Sequence, residues 1–366
     1  MNSAIKSKVH RLVILSCIAL LIFLLGLNSK LTETIYSSGL YPLTSVAQRF
    51  ISSPFPFAVG DFLYLILILY CLWSIFKAIR KIKTRIPGQQ LRFFFPLQLA
   101  NFTLILYIVF KLLWGLNYSR PSISSQLGLS NQKYTTKDLV HLGDFLINRV
   151  NTTKQKIQQT GVQKEFNIKE LESGSKSAYD KLAKTNSLFT YRVPAVKAVI
   201  LEQTITKSGI EGYYAPPSGE ANVNMLIPAI DLPFITCHEI SHELGVARED
   251  EANLVGYLVS TSSSDLNFQY SGYYNILRNV LFEIRIKSPE DYDLLFKKIN
   301  EATLTDFKNE QEFWRKYNSE MSGYFGVAFD KFLKINNQKK GTDSYQDIVL
   351  WVFNLHKKEL HKTLQP

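Results

Sequence analysis

The stretch Pro233-Phe234-Ile235-Thr236-Cys237-His238-Glu239-Ile240-Ser241-His242 decides how the rest of the chain is read. Two histidines four apart on a helix project from one face about one turn apart, so both imidazoles can reach a single tetrahedral metal ion. Glu239, beside the first histidine, then stands where it can take a proton from a water whose pKa a zinc ion has lowered toward neutrality. This is hydrolase geometry. Phe234, Ile235, Ile240 and Leu244 make the opposite face apolar, as a helix buried beneath a site requires. Gly245 breaks the helix, and beyond it Glu249-Asp250-Glu251-Ala252-Asn253 opens a second helix that runs into Leu254, Val255, Tyr257 and Leu258. A carboxylate from that helix would complete a three-ligand site with an open position. Glu249 and Glu251 point about 200° apart around a helix, so one site would use only one of them, and Glu249 shares its face with Asn253 at i+4.

Upstream of this region the composition changes character. Overall hydropathy is near neutral, but the apolar residues crowd into the first third of the chain. Leu12 to Ser29 is uncharged and follows Lys6, Lys8 and Arg11; Phe55 to Phe76 is interrupted only by Asp61; Phe93 to Phe110 is again uncharged. Each is long enough to cross a hydrocarbon core of about 30 Å. The first reads as an uncleaved anchor, with no clear small-x-small cleavage site after it. Asp61, near one end of its run, is expected at the membrane interface, as are Trp114 and Tyr118 after the third. Between spans two and three lie Lys77, Arg80, Lys81, Lys83, Arg85 and Arg92 without an acidic residue, whereas the first loop offers Lys30 and Arg49 against Glu33. The positive-inside rule therefore puts the N-terminus and the basic 77–92 loop in the cytoplasm and everything after span three outside it. The expected organisation is a three-helix anchor over 1–118 and an extracytoplasmic domain over 119–366.

The net charge of +11 does not point to nucleic acid, because the basic residues are dispersed and their one dense cluster is explained by topology. Cys17, Cys71 and Cys237 form no disulfide framework, since two sit inside apolar runs and the third stands alone beside His238.

In the remainder, Leu139, Leu142, Leu146 and Val150 recur at helical spacing after Thr135 and Thr136, and a polar helix is expected over Ile168 to Lys184. Ala195 to Thr206 alternates with β-branched residues, and Gly209 to Asn224 is punctuated by Gly-Tyr-Tyr and Pro-Pro, which predicts a small sheet or hairpin. Helices follow at 232–244, 248–262, 268–286, 289–300, 304–335 and 344–361, with a polar turn at 336–342. Tyr213, Tyr214 and Asn224 are candidates to line a substrate cleft along an edge strand, and Tyr270, Tyr273 or Tyr274 to stabilise an oxyanion. Each has an ordinary packing role as its alternative. His356 and His361, among Lys357, Lys358 and Glu359, read as a solvated helix face.

The pair of motifs resembles the gluzincin zinc peptidases, in which a His-Glu-x-x-His helix is followed by a Glu-x-x-small-Asp or Asn segment. Glu249-x-x-Ala252-Asn253 matches that second element at shorter spacing, with Asn in place of the commoner Asp. The resemblance implies His238, His242 and Glu249 as zinc ligands, Glu239 as general base and Asn253 as the group that orients a ligand histidine. Nearly the whole chain also resembles an uncharacterised family of three-span membrane proteins with a predicted zinc-peptidase domain, through Trp114-Gly-Leu-Asn-Tyr118, Gly212-Tyr-Tyr214, Gly219-Glu-Ala-Asn-Val-Asn224 and the two metal motifs. The expectation is an α-helical anchor plus a mainly α, α+β zincin-like domain with a small sheet. It would be held in the inner membrane by the lipid bilayer and act on a protein or peptide substrate. The rival is a non-catalytic envelope scaffold that keeps the fold, for which Glu239 has no use.

Overall fold

The computed structural model describes residues 3–83, 88–161, 164–317, 320–336, 338 and 347–362. Three helices are long and apolar enough to cross a membrane, as in a multi-pass membrane protein: α1 (Ser3–Gly26), α3 (Val59–Lys83) and α4 (Gly88–Leu113). Their apolar side chains are almost wholly uncovered by the rest of the chain, which is stable only in a solvent as apolar as they are. The part of the basic loop at 84–87 lies outside the described residues.

Between the first two spans the sequence reads as a loop, but the structure is helical. A turn at Ser29–Thr32 passes into a π-helix, Glu33–Leu40, and then into α2 (Tyr41–Ser52). Tyr41, Ser45, Arg49 and Ser52 recur at three and four residues and are all buried, so α2 turns one polar face inward.

Beyond the spans the chain is mainly helical. α5 (Thr136–Thr160) opens with a capping box between Thr135 and Asp138, and α6 (Ile168–Ala183) with one between Asn167 and Glu170. A three-stranded sheet follows, β1 (Val196–Ala198), β2 (Gly212–Ala215) and β3 (Glu220–Val223), in the order β1-β3-β2. β3 is central, parallel to β1 with Val196 opposite Ala221 and antiparallel to β2 with Tyr213 opposite Asn222. The extended reading of Ala195 to Thr206 is met only over β1, because Glu202–Lys207 is a short helix, α7. The Thr206 and Ser208 hydroxyls donate to the carbonyls four residues back, at 2.7 and 3.0 Å, which satisfies these polar groups within the turn.

The metal motifs lie on α8 (Leu232–Glu243) and α9 (Glu249–Ser262), followed by α10 (Leu266–Lys287) and α11 (Pro289–Phe296). The single helix expected at 304–335 is instead α12 (Glu301–Tyr317) and α13 (Glu320–Ile335), with 318–319 outside the described residues. α14 (Asp347–Lys362) ends the fold, and most of the expected polar turn at 336–342 is not described.

Two apolar cores result. The larger joins α5, α6, α8, α9, α10 and α14 through residues such as Leu146, Tyr179, Ile240, Val255, Leu277 and Val352. The smaller joins both sides of residue 118: Ile22 of α1, Tyr36, Tyr41, Ile108 of α4, Trp114 and Tyr118 pack with Tyr214, Ala247 and Leu333. Trp114 and Tyr118, expected at the lipid interface, are therefore buried, because the end of α4 meets the end of α8 there. Asp61 likewise serves the fold, accepting from the Tyr213 hydroxyl and from the Ile200 amide at 3.2 Å. Glu220 of β3 accepts from the amides of Val59 and Gly60 at 3.1 and 2.7 Å, so the sheet caps the N-terminus of α3.

Candidate metal centre

α8 is buried along its whole length, with Pro233 near its start where no backbone donor is needed. It stops at Gly245, whose φ of 79° a side chain would resist, and where an added Cβ would lie 2.9 Å from the Tyr41 ring. Its last carbonyls are satisfied by side chains distant in sequence. The His242 carbonyl accepts from the Trp114 indole and the Tyr41 hydroxyl, each at 3.1 Å. The Glu243 carbonyl accepts from Tyr41, Ser45 and Arg49, each at 3.0 Å, and Arg120 donates to the Gly245 carbonyl at 3.0 Å. Arg120 is itself held by Glu33 at 2.8 Å, and Arg49 lies 3.6 Å from the Glu243 carboxylate. Cationic and neutral donors at a helix C-terminus oppose its partial negative charge.

His238 and His242 stand one turn apart with ring centroids 4.9 Å apart and nearly perpendicular planes. His238 Nδ1 lies 2.9 Å from Asn253 Oδ1, and His242 Nδ1 lies 2.6 Å from the Val246 carbonyl. Both partners accept, so both Nδ1 atoms carry the proton and both Nε2 lone pairs face inward. There they meet Glu249, whose Oε2 is 3.3 Å from His238 Nε2 and 3.8 Å from His242 Nε2. Ligand atoms of these three buried residues all lie within 4.8 Å of one another. The turn at Gly245 makes this possible by returning the chain so that α9 begins with Glu249 beside α8.

Charge in this group is distributed as a cation would require. Burial opposes a charged Glu249, but the two histidines outweigh it and hold its carboxyl below the usual range. Burial also opposes a charged His242, yet Glu249 and Glu239 push its pKa up to about 9. Without a cation, His242 would have to carry the positive charge itself. The donor set fits a divalent metal: two neutral imidazole nitrogens and one carboxylate, with orienting hydrogen bonds behind them.

Glu239 is buried beside the histidines, and burial, moderated by both of them, pushes its carboxyl up to about 7. Its Oε2 has no partner among the described residues. Gly212 of β2 allows this placement, since a Cβ there would lie 2.8 Å from Glu239 Cγ and Oε1. Glu251 points elsewhere, accepting from the Ile123 amide at 3.0 Å and from Arg248 at 3.4 Å.

The other candidates are not gathered at this centre. Tyr213 is bound to Asp61; the Tyr214 hydroxyl lies 3.2 Å from that of Tyr41; Asn224 is fully buried, donating to Thr206 at 2.8 Å and to the Ile210 carbonyl at 3.1 Å. Tyr270 donates to Asp306 and Tyr274 to Glu310, both at 2.6 Å, while Tyr273 packs on Tyr257. His356, expected on a solvated face, packs against Phe145 and lies 2.8 Å from the Tyr257 hydroxyl, because α14 closes over α5 and α9. The side chain of His361 lies outside the described residues.

Residues that the sequence assigned to the membrane interface or did not single out also stand around the site. The Trp114 and His242 ring centroids lie 5.7 Å apart with nearly perpendicular planes, and Tyr118 is close enough for Glu249 to add to the effect of burial in raising its phenol pKa. Arg278, 2.5 Å from Glu310 and 3.6 Å from Asp231, anchors the residue that precedes α8. The Trp114-Gly-Leu-Asn-Tyr118 stretch was a legible signal for two of these, and the 41-45-49 spacing would have been one for the polar face of α2.

Comparison with known proteins covers the same ground. Residues 36–353 match the family described as Protein of unknown function (DUF3810). The chain belongs to that family. No curated protein and no solved structure matches it. The DUF3810 match begins at Tyr36, in the π-helix after the first span, and runs through the second and third spans and both metal motifs to Phe353. The segments that cap α8 therefore belong to the same family unit as His238, His242 and Glu249.

Proposed function

We propose that this DUF3810 protein is a zinc-dependent peptidase anchored in the cytoplasmic membrane, hydrolysing proteins or peptides at its outer face. The observation that carries the reading is the convergence of His238 Nε2, His242 Nε2 and Glu249 Oε2, with the unpartnered Oε2 of Glu239 beside them. A zinc ion held by the three ligands would supply Lewis acidity toward a water and a carbonyl oxygen. Glu239 accepts the proton of the attacking water and delivers it to the leaving amine nitrogen, and its burial, which disfavours the charged carboxylate, supports its holding the proton between the two transfers. Asn253 and the Val246 carbonyl keep the two imidazoles in the tautomer and orientation that coordination needs. β2, an edge strand among the described residues, offers one free side along which an extended peptide could pair next to Glu239. The placement at the outer face rests on the six basic residues between spans two and three.

The decisive experiment is Glu239→Gln in the full chain, reconstituted in nanodiscs, with zinc measured by elemental analysis and hydrolysis by a peptide library. The variant should keep its zinc and melting temperature while hydrolysis falls to background. Undiminished turnover would refute the assignment of Glu239, and a wild-type chain that purifies without zinc would remove the metal from the reading.

A further inference from the structure

Helix α13 has a sequence that asks for burial and an environment that does not provide it. Met321, Phe325, Ala328, Phe332 and Ile335 recur at three- and four-residue spacing along one stripe, with Tyr324 at its edge; Asp330 and Lys334, 2.8 Å apart, mark the opposite side. In the chain alone this stripe faces outward: Tyr324 is 75 % and Ile335 81 % exposed. An apolar face of this length left uncovered on a soluble surface would be an aggregation liability or an interaction site.

The contacts α13 does make show where it lies. The Phe332 ring sits 5.9 Å from Phe110 and 6.3 Å from Tyr118, and Lys111 donates to Asn336 just past the helix end at 3.0 Å. Phe110 and Lys111 belong to the last turn of the third span, so this end of α13 lies at the depth where that span ends. Near its other end, Met321 receives a hydrogen bond from Ser208, which follows α7. The residue pair before α7 is also exposed and apolar: Leu201 is 64 % exposed, and the Ile200 amide is bound to Asp61 in the first turn of the second span. α13 is thus tied, directly and through α7, to the same ends of two spans.

We infer that α13 is a monotopic helix lying in the interfacial layer of the bilayer, its apolar stripe among the acyl chains at the soluble-domain ends of the spans. Three features favour lipid over another protein. The stripe meets the surface of α4 at Phe110; Tyr324, Phe325 and Phe332 supply aromatic rings to it, as in interfacial helices; and Lys331 stands at its edge to meet anionic headgroups. Because Trp114, which directly follows α4, has its ring centroid 5.7 Å from that of His242, and Phe332 packs on Phe110 in the last turn of the same span, the candidate metal centre is held close to the membrane surface.

The test uses the full chain in nanodiscs of zwitterionic and anionic phospholipid, with Cys17 and Cys71 replaced by alanine and the buried Cys237 left in place. An environment-sensitive fluorophore is attached at Phe325→Cys, at Ile335→Cys and, as a control, at the exposed Lys169→Cys of α6. Acyl-chain-brominated lipid should quench the first two labels several-fold more than the third, and their emission should be blue-shifted. Labels at 325 and 335 that match the control would place the stripe in water. A blue shift without bromine quenching would mean that protein, such as a second copy of the chain, covers it. Either result overturns the inference.

Discussion

Removing residues 1–118 should destroy the metal centre, although no proposed ligand lies within them. The reason is the C-terminal end of α8. Four side chains, Tyr41, Ser45, Arg49 and Trp114, donate to its last two carbonyls at 3.0–3.1 Å, the one Tyr41 proton being shared between both carbonyls, and three of the four donors are neutral. At about 0.5–1.5 kcal/mol for a neutral donor and about 1.5–3 for a charged one, their loss amounts to roughly 3–8 kcal/mol. That is comparable to the whole stability of an ordinary domain, about 5–15 kcal/mol, before the lost packing of Tyr36, Tyr41 and Trp114 is counted. The fragment 119–366 also loses Glu33, the partner of Arg120, and would bury the Glu243 carboxylate without Arg49. Elemental analysis of the fragment should find substoichiometric zinc, and its thermal transition should be broad or absent, whereas the full chain should bind zinc and melt cooperatively. Tyr41→Phe in the full chain isolates the effect, since it removes one of these donors without truncation and should lower stability by about 0.5–1.5 kcal/mol. A fragment that binds stoichiometric zinc and unfolds cooperatively at the temperature of the full chain would refute the reasoning.

Three further outcomes are expected. By isothermal titration of the full chain, Glu249→Gln should lower zinc affinity sharply, Asn253→Ala by about 10- to 100-fold, and Glu251→Gln hardly at all, because Glu251 is engaged with Ile123 and Arg248; zinc lost with Glu251→Gln and kept with Glu249→Gln would reverse the assignment. In the chelated protein, the raised pKa of His242 contributes stability that is fully present below its unfolded value near 6.5 and is lost as pH rises through about 9. Melting temperature should therefore fall between pH 7 and 9.5 without metal and change less with zinc bound, and an equal fall in both would show that this ionisation is unrelated to the site. A reporter active only outside the cytoplasm should work when fused after Pro121 and stay silent when fused within 80–90; the opposite pattern would put the metal centre in the cytoplasm.

Much of this protein was legible locally. Uncharged runs of membrane-spanning length show as helices because composition alone selects their solvent, and the His238, Glu239, His242 spacing shows as one helix face because helical geometry is set over four residues. The capping boxes of α5 and α6 and the turn at Gly245 are likewise contained in a few neighbouring residues. What local pattern could not carry is which side chains complete a site from far along the chain. Tyr41 reaches the His242 carbonyl across 201 residues and Trp114 across 128; nothing in the sequence around Tyr41 or Trp114 records that partner, so Trp114 read as a membrane-interface residue and α2 as a loop. That the polar atoms of Tyr213 and Asn224 are committed to Asp61, Thr206 and Ile210 is likewise decided by tertiary packing and not by any local pattern. The amphipathic stripe of α13 was hidden inside one long helical pattern, and only the folded chain shows it left uncovered at the ends of the spans. Helical periodicity fixes a face within a few residues, whereas what that face meets depends on contacts between segments a hundred or more residues apart.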